Sequence, residues 1–100
     1  MNVIILDEVK SFLKEIGKEN QSRANRYIVL LENFGNLIKM PYSKNILPGI
    51  FELRVGGIHN IRLIYTFHTG SALIFHGFSK KTEQISLKEI SIIKSKYNKL

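Results

Sequence analysis

The segments Ile50 to Val55, Ile58 to Phe67 and Ser71 to Phe78 alternate apolar and polar residues, and only Gly56-Gly57 and His68-Thr69-Gly70 separate them. Turns this short force successive strands to run antiparallel, which commits this half of the chain to a hairpin-built sheet. Alternation then sorts the side chains by face. Phe51, Leu53 and Val55 point one way, on the side matched by Ile61, Leu63, Tyr65 and Phe67; Glu52 and Arg54 point the other way, and Arg62 shares its side with Ile64. The pattern therefore predicts Arg54 and Arg62 standing together on one exposed sheet surface.

The rest of the chain supplies cover for the sheet. A short strand is predicted over Asn2 to Leu6, after which Asp7 reads as a helix N-cap and Val9, Phe12, Leu13 and Ile16 recur at helical spacing up to Gly17. Lys18 to Ser22 reads as a polar turn, and Ala24, Tyr27, Ile28, Leu30, Leu31 and Phe34 build a second amphipathic helix that Gly35 ends. The two helices form an antiparallel hairpin. Asn36 to Pro48 shows no clean period and carries Pro41, Asn45 and Pro48, so it reads as a connecting loop. A third helix is announced by Ser86 and Glu89 at capping-box spacing, with Ile85 and Ile90 placed as a hydrophobic staple and Ile90, Ile93 and Tyr97 as the buried stripe. The expected fold is α+β: an N-terminal strand and a helical hairpin packed on one face of an antiparallel sheet, with a C-terminal helix. No repeat or linker interrupts it, so residues 1–100 form one domain.

Composition narrows the function classes. A hydrophobic content of 44% suits an ordinary globular core. With no cysteine, neither a disulfide framework nor a thiolate metal site is available, and the expected location is the cytoplasm. Met1 to Leu6 is apolar but lacks a basic leader and a small-residue cleavage site, and no segment reaches membrane-spanning length. The formal charge of +7 on so small a domain favours polyanionic partners: nucleic acid, acidic protein or an anionic surface.

The candidate site residues follow from the strands. Arg62, in mid-strand, suits stabilisation of charge on a phosphate; its alternative is a surface arginine or a cross-strand partner of Glu52. Arg54 beside it sharpens the case, because like charges side by side repel unless an anion bridges them. Lys80 and Lys81 leave the last strand where they can clamp a phosphodiester or transfer a proton, or else form an ordinary exposed loop pair. His76, placed on one face with Ile74 and Phe78, is an acid or base candidate for RNA cleavage or a strand histidine held by its neighbours. Phe78 stacks on a base or packs on the C-terminal helix. His59 and His68, near turns, receive no role. The three histidines lack ligand-like spacing, so no metal and no other cofactor is expected. Metal-free phosphodiester chemistry points to RNA, whose own 2′-hydroxyl is an internal nucleophile.

The succession Leu47-Pro48-Gly49-Ile50-Phe51-Glu52-Leu53-Arg54, Ile61-Arg62-Leu63-Ile64-Tyr65 and His76-Gly77-Phe78-Ser79-Lys80-Lys81-Thr82, ending with Lys88-Glu89-Ile90, resembles the phage-derived Gp49-like branch of the RelE/HigB toxins. The resemblance implies a RelE/ParE-like fold and a bacterial type II toxin that cleaves messenger RNA, usually on the ribosome. It also implies neutralisation by an antitoxin, commonly a helix-turn-helix protein. Carried across, Arg62 matches the mid-strand arginine of the family, Arg54 the basic strand position, and Lys80 or Lys81 the basic residues after the last core strand. The chain departs from the pattern twice: no tyrosine stands around Ile85 to Leu87, and Ser86 replaces the proline common before the last helix. The general base is then His76 or a lysine. The alternative functions are a ParE-like toxin that inhibits a DNA topoisomerase by binding, or a non-catalytic nucleic-acid-binding module.

Overall fold

The computed structural model describes residues 1–56 and 60–100. The second half of the predicted Gly56-Gly57 turn, the predicted strand start at Ile58, and His59 lie outside the described residues. The elements run β1 (Asn2–Ile5), α1 (Asp7–Glu15), α2 (Lys18–Phe34), a short 3-10 turn (Gly35–Leu37), β2 (Ser43–Leu47), β3 (Ile50–Val55), β4 (Ile61–His68), β5 (Ser71–Ser79) and α3 (Leu87–Asn98). The strands form one five-stranded sheet in the order β1-β5-β4-β3-β2. This is the predicted α+β architecture, and the three predicted hairpin strands are its antiparallel centre.

Two additions come from the sheet edges. β1 lies parallel to β5, with Asn2 opposite Ser71 and Ile5 opposite Ile74, so the sheet is mixed. At the other edge, the stretch predicted as a loop over Asn36 to Pro48 contains β2, antiparallel to β3 with Ser43 opposite Leu53. β2 escapes a periodicity test because its outer edge is solvated and carries Lys44 and Asn45, both exposed. Asn45 also donates side-chain hydrogen bonds to the carbonyls of Leu47 and Ile50, which closes the β2–β3 turn.

The helices differ from expectation only at their ends. Leu6, not Asp7, is the N-cap of α1, and its N–H extends the β1 ladder by bonding the Ile74 carbonyl at 3.1 Å. Asp7 and Glu8 instead occupy the first helical turn, where the helix dipole favours negative charge. The polar stretch Lys18 to Ser22 is helical, because Gly17 at φ 87° makes the whole turn between α1 and α2. Asn20 donates to the free Ile16 carbonyl at 2.8 Å, so a polar residue read as loop-forming in fact closes the end of α1.

Each face of the sheet has its own core. On one side Val9, Ala24, Ile28 and Leu31 of the two helices pack on Leu53, Val55, Ile61, Leu63, Tyr65, Ala72 and Ile74. Gly77 permits the close approach of α1 to this face: a β-carbon there meets Phe12 Cδ2 at 2.6 Å and Leu63 Cδ2 at 3.2 Å. On the other side Ile93 of α3 closes over Ile50, Ile64, Phe75 and Phe78, with Tyr97 and Ile85 at the rim. The Ser86 hydroxyl caps α3 as the capping-box spacing predicts, accepting from the Glu89 N–H at 3.1 Å.

Between β4 and β5 alternation fails at one point. The β4–β5 register runs from Ile64 opposite His76 to Tyr65 opposite Ile74, which leaves Phe75 as an extra residue. Phe75 and His76 consequently both serve the α3 side, whereas Ile74 belongs to the helical-hairpin core. The predicted grouping of His76 with Ile74 is thus corrected by a bulge, while its grouping with Phe78 stands: the two rings stack with centroids 5.5 Å apart.

Candidate anion-binding groove

α3 covers only part of its face of the sheet. At the uncovered end, Arg54 of β3 and Arg62 of β4 are directly opposed in the antiparallel register, and Phe78 of β5 continues the same row. The segment leaving β5 is anchored by the Lys80 N–H, which donates to the Asn60 carbonyl at 2.9 Å. Together they border a shallow groove of about 540 Å³ lined by Arg54, Asn60, Arg62, Lys80, Lys81, Thr82 and Glu83. All four predicted cationic residues therefore meet in one concavity. A second depression shares the Lys80 to Thr82 wall and reaches Phe78, Ser86 and Glu89.

Arg62 departs from the expected exposed position. It is only 6% exposed, and its Nε lies 3.6 Å from Glu52 Oε2, with Glu52 itself 3% exposed. The same carboxylate approaches Arg54, its Oε1 3.7 Å from the Arg54 Nε. The bridging anion that two adjacent arginines call for is thus internal: the neighbouring row of the sheet supplies Glu52, opposite Ile64. This is the cross-strand pairing weighed against a ligand role from sequence. Burial pulls the Arg62 guanidinium below the usual arginine value, Glu52 counteracts that, and Arg54 adds to the lowering. The group stays cationic, since an arginine does not deprotonate in a protein.

Neither 3.6 Å nor 3.7 Å is hydrogen-bond distance, and Glu52 Oε2 and Arg62 Nε are buried without a hydrogen-bond partner among the described residues. Arg62 Nη1 donates to the carbonyl of Ile61, at 3.1 Å. Arg54 is the more accessible guanidinium, and its Nη1 touches the Met40 sulfur at 3.3 Å. Lys81 is exposed and Lys80 half-buried, so Arg54, Lys80 and Lys81 form the solvent-facing cationic set and Arg62 a buried charge behind it.

His76 does not join this set. It is 8% exposed and lines neither depression. Its Nδ1 lies 2.8 Å from Lys96 Nζ and its Nε2 lies 2.8 Å from Glu89 Oε2. An ammonium only donates, so Nδ1 accepts from Lys96 and Nε2–H donates to Glu89. With both nitrogens engaged, His76 is a structural clasp between β5 and α3, extended to α1 by the Lys96–Glu8 pair at 3.2 Å. The sequence held a signal for it, since Glu89, Ile93 and Lys96 share one face of α3 at helical spacing. Phe78, 8% exposed, packs in the α3 core and also borders the second depression. Among the described residues no group of three or more His, Cys, Asp or Glu side chains has metal-holding geometry, and no helix is long and apolar enough to cross a membrane.

A five-stranded mixed sheet, a helical hairpin on one face, a single helix on the other and a cationic groove at the open end define a small basic α+β module. The family model described as "Phage derived protein Gp49-like (DUF891)" matches residues 11–98, and the chain belongs to that phage-derived Gp49-like family, a branch of the RelE-like toxins. No curated protein matches it.

Proposed function

We propose that this Gp49-like protein is the toxin of a type II toxin–antitoxin pair and acts in the cytoplasm as a ribosome-dependent, metal-independent mRNA endoribonuclease. One observation carries the reading: Arg54, Arg62, Lys80 and Lys81, from three separate segments, border one groove. In such a groove the 2′-hydroxyl of a bound nucleotide attacks the adjacent phosphorus, the bond to the 5′-oxygen breaks, and a 2′,3′-cyclic phosphate and a 5′-hydroxyl result. Arg54, Lys80 and Lys81 bind the phosphate and stabilise the charge it gains, with Arg62 adding positive potential from behind. Because His76 has no free nitrogen, Lys81 is the proton-transfer candidate on this chain, and the ribosome aligns the message. The antitoxin, commonly of helix-turn-helix type in the resemblance, places carboxylates over the same cations.

The test is controlled expression followed by mapping of transcript 5′ ends, beside a joint Arg54→Gln, Lys80→Gln and Lys81→Gln variant. Growth arrest with new 5′-hydroxyl ends is expected for the natural chain, and neither for the variant, whose melting curve still shows a cooperatively folded protein. Arrest with intact transcripts and inhibited supercoiling refutes the nuclease reading in favour of the ParE-like one, inhibition of a topoisomerase by contact. That second reading draws its support from the burial of Arg62 against Glu52, which leaves the surface cations suited to docking on an acidic protein. Binding of RNA without arrest or cleavage leaves a non-catalytic nucleic-acid-binding module.

A further inference from the structure

Among the described residues Glu52 is the one buried carboxylate, and its placement behind the groove needs a reason. A buried charge is costly unless paired and hydrogen-bonded. Here the carboxylate stands 3.6 Å and 3.7 Å from two guanidiniums and bonds neither, while Arg62 Nε, also buried, has no acceptor among the described residues. Charge-assisted N–H···O contacts ordinarily close to about 2.7–2.9 Å. Glu52 therefore balances the charge of the arginine pair without satisfying its donors, and the unmet donor belongs to a residue that borders the groove.

We propose that Glu52 is a resident counter-ion with which an incoming phosphate group competes: it keeps the arginine pair folded when the groove is empty, and it weakens the hold on RNA so that cleaved product leaves. The inference rests on the phosphate-binding reading of the groove given above and adds its regulation. A phosphate oxygen takes over Arg54, the exposed member of the pair, and meets repulsion from Glu52 as it does so; Glu52, relieved of Arg54, then closes on the buried Arg62 Nε. Glu52→Gln keeps the shape and removes the repulsion. A phosphate in the open groove stays solvated, so its repulsion by Glu52 is near the value in water, where one unit charge about 4 Å from another changes a binding constant roughly fivefold.

The experiment measures affinity for a short single-stranded RNA across a salt series, with inorganic phosphate as a second probe. Glu52→Gln is expected to bind RNA about fivefold more tightly than the natural chain. A second measurement needs no variant: the Arg62 Nε–H resonance of the natural protein moves downfield, saturably, as RNA or phosphate is added. A folded Glu52→Gln protein with unchanged or weaker affinity overturns the proposal, and so does an Arg62 Nε–H that ignores both probes. Tighter binding by Glu52→Gln without any transcript cleavage leaves the counter-ion role standing and removes the nuclease. Failure of both proteins to bind either probe removes both readings.

Discussion

Replacing Arg62 by Met keeps most of the side-chain stem but strips Glu52 of its nearer counter-charge. At an effective dielectric constant of about 20, unit charges 3.6 Å apart attract by about 4 to 5 kcal/mol. Breaking one side of a buried pair costs about 3 to 5 kcal/mol, because the remaining charge stays buried. Arg54, 3.7 Å from the other carboxylate oxygen and partly open to water, retains some compensation, so the expected loss is about 3 kcal/mol. In a domain of this size each kcal/mol shifts Tm by roughly 4–8 °C, which puts the fall at about 12–24 °C. The Glu52→Gln, Arg62→Met double variant removes both charges and is expected within about 1 kcal/mol of the natural protein, since a neutral pair of similar volume replaces a buried ion pair at little cost. Urea and thermal unfolding followed by circular dichroism, run on both singles and the double, give the coupling energy. An Arg62→Met protein as stable as the natural one, or a double variant no more stable than that single, refutes the argument that the pair holds Arg62 in place. The same numbers warn that loss of toxicity in an Arg62 variant, and to a lesser degree in an Arg54 variant, reports folding as well as chemistry, whereas Lys80 and Lys81, which pair with no buried carboxylate among the described residues, do not carry that ambiguity.

Gly77→Ala drives a methyl group into Phe12, 2.6 Å from its Cδ2, and is expected to cost about 1–3 kcal/mol in urea unfolding; an unchanged midpoint refutes the close packing of α1 on β5. Burial raises the pKa of Tyr65 above its ordinary value, against the smaller opposing effect of its 2.5 Å hydrogen bond with Ser43. A raised folded-state value means that the unfolded chain ionises first, so this contribution is intact below about pH 10 and is lost as pH climbs through the folded value. Alkaline unfolding of the natural protein is expected to be steeper above about pH 10 than that of Tyr65→Phe, and parallel profiles refute it.

The hairpin strands, both helical stripes and the α3 cap were legible because each rests on a local signal: alternation, helical spacing, or Ser86 placed before Glu89. The pairing of Arg54 with Arg62 was legible for the same reason, as a matter of strand parity. What eluded the sequence depends on partners far along the chain. β2 is recognisable only beside β3, and β1 has no local mark of its parallel neighbour. The bulge at Phe75 reverses the parity of His76 relative to Ile74, and Gly77 two residues on hints at an irregularity without saying where the extra residue falls. The depth of Arg62 is of the same kind. Strand parity says that Glu52 and Arg62 share a face, but their burial follows from the sheet and loop neighbours that gather around them.

The parallel pairing of β1 with β5 also orders events during synthesis. β1 leaves the ribosome before either helix, yet its hydrogen-bonding neighbour, Ser71 to Ser79, is translated after every other strand. Closing so long a loop is entropically slow, and Val3 and Ile5 wait uncovered until it happens. Lys80 and Lys81 follow directly behind that same strand. A nascent chain halted before β5 thus has an incomplete sheet and lacks two of the four groove cations, and the completed groove arises in nearly the same moment as the completed sheet.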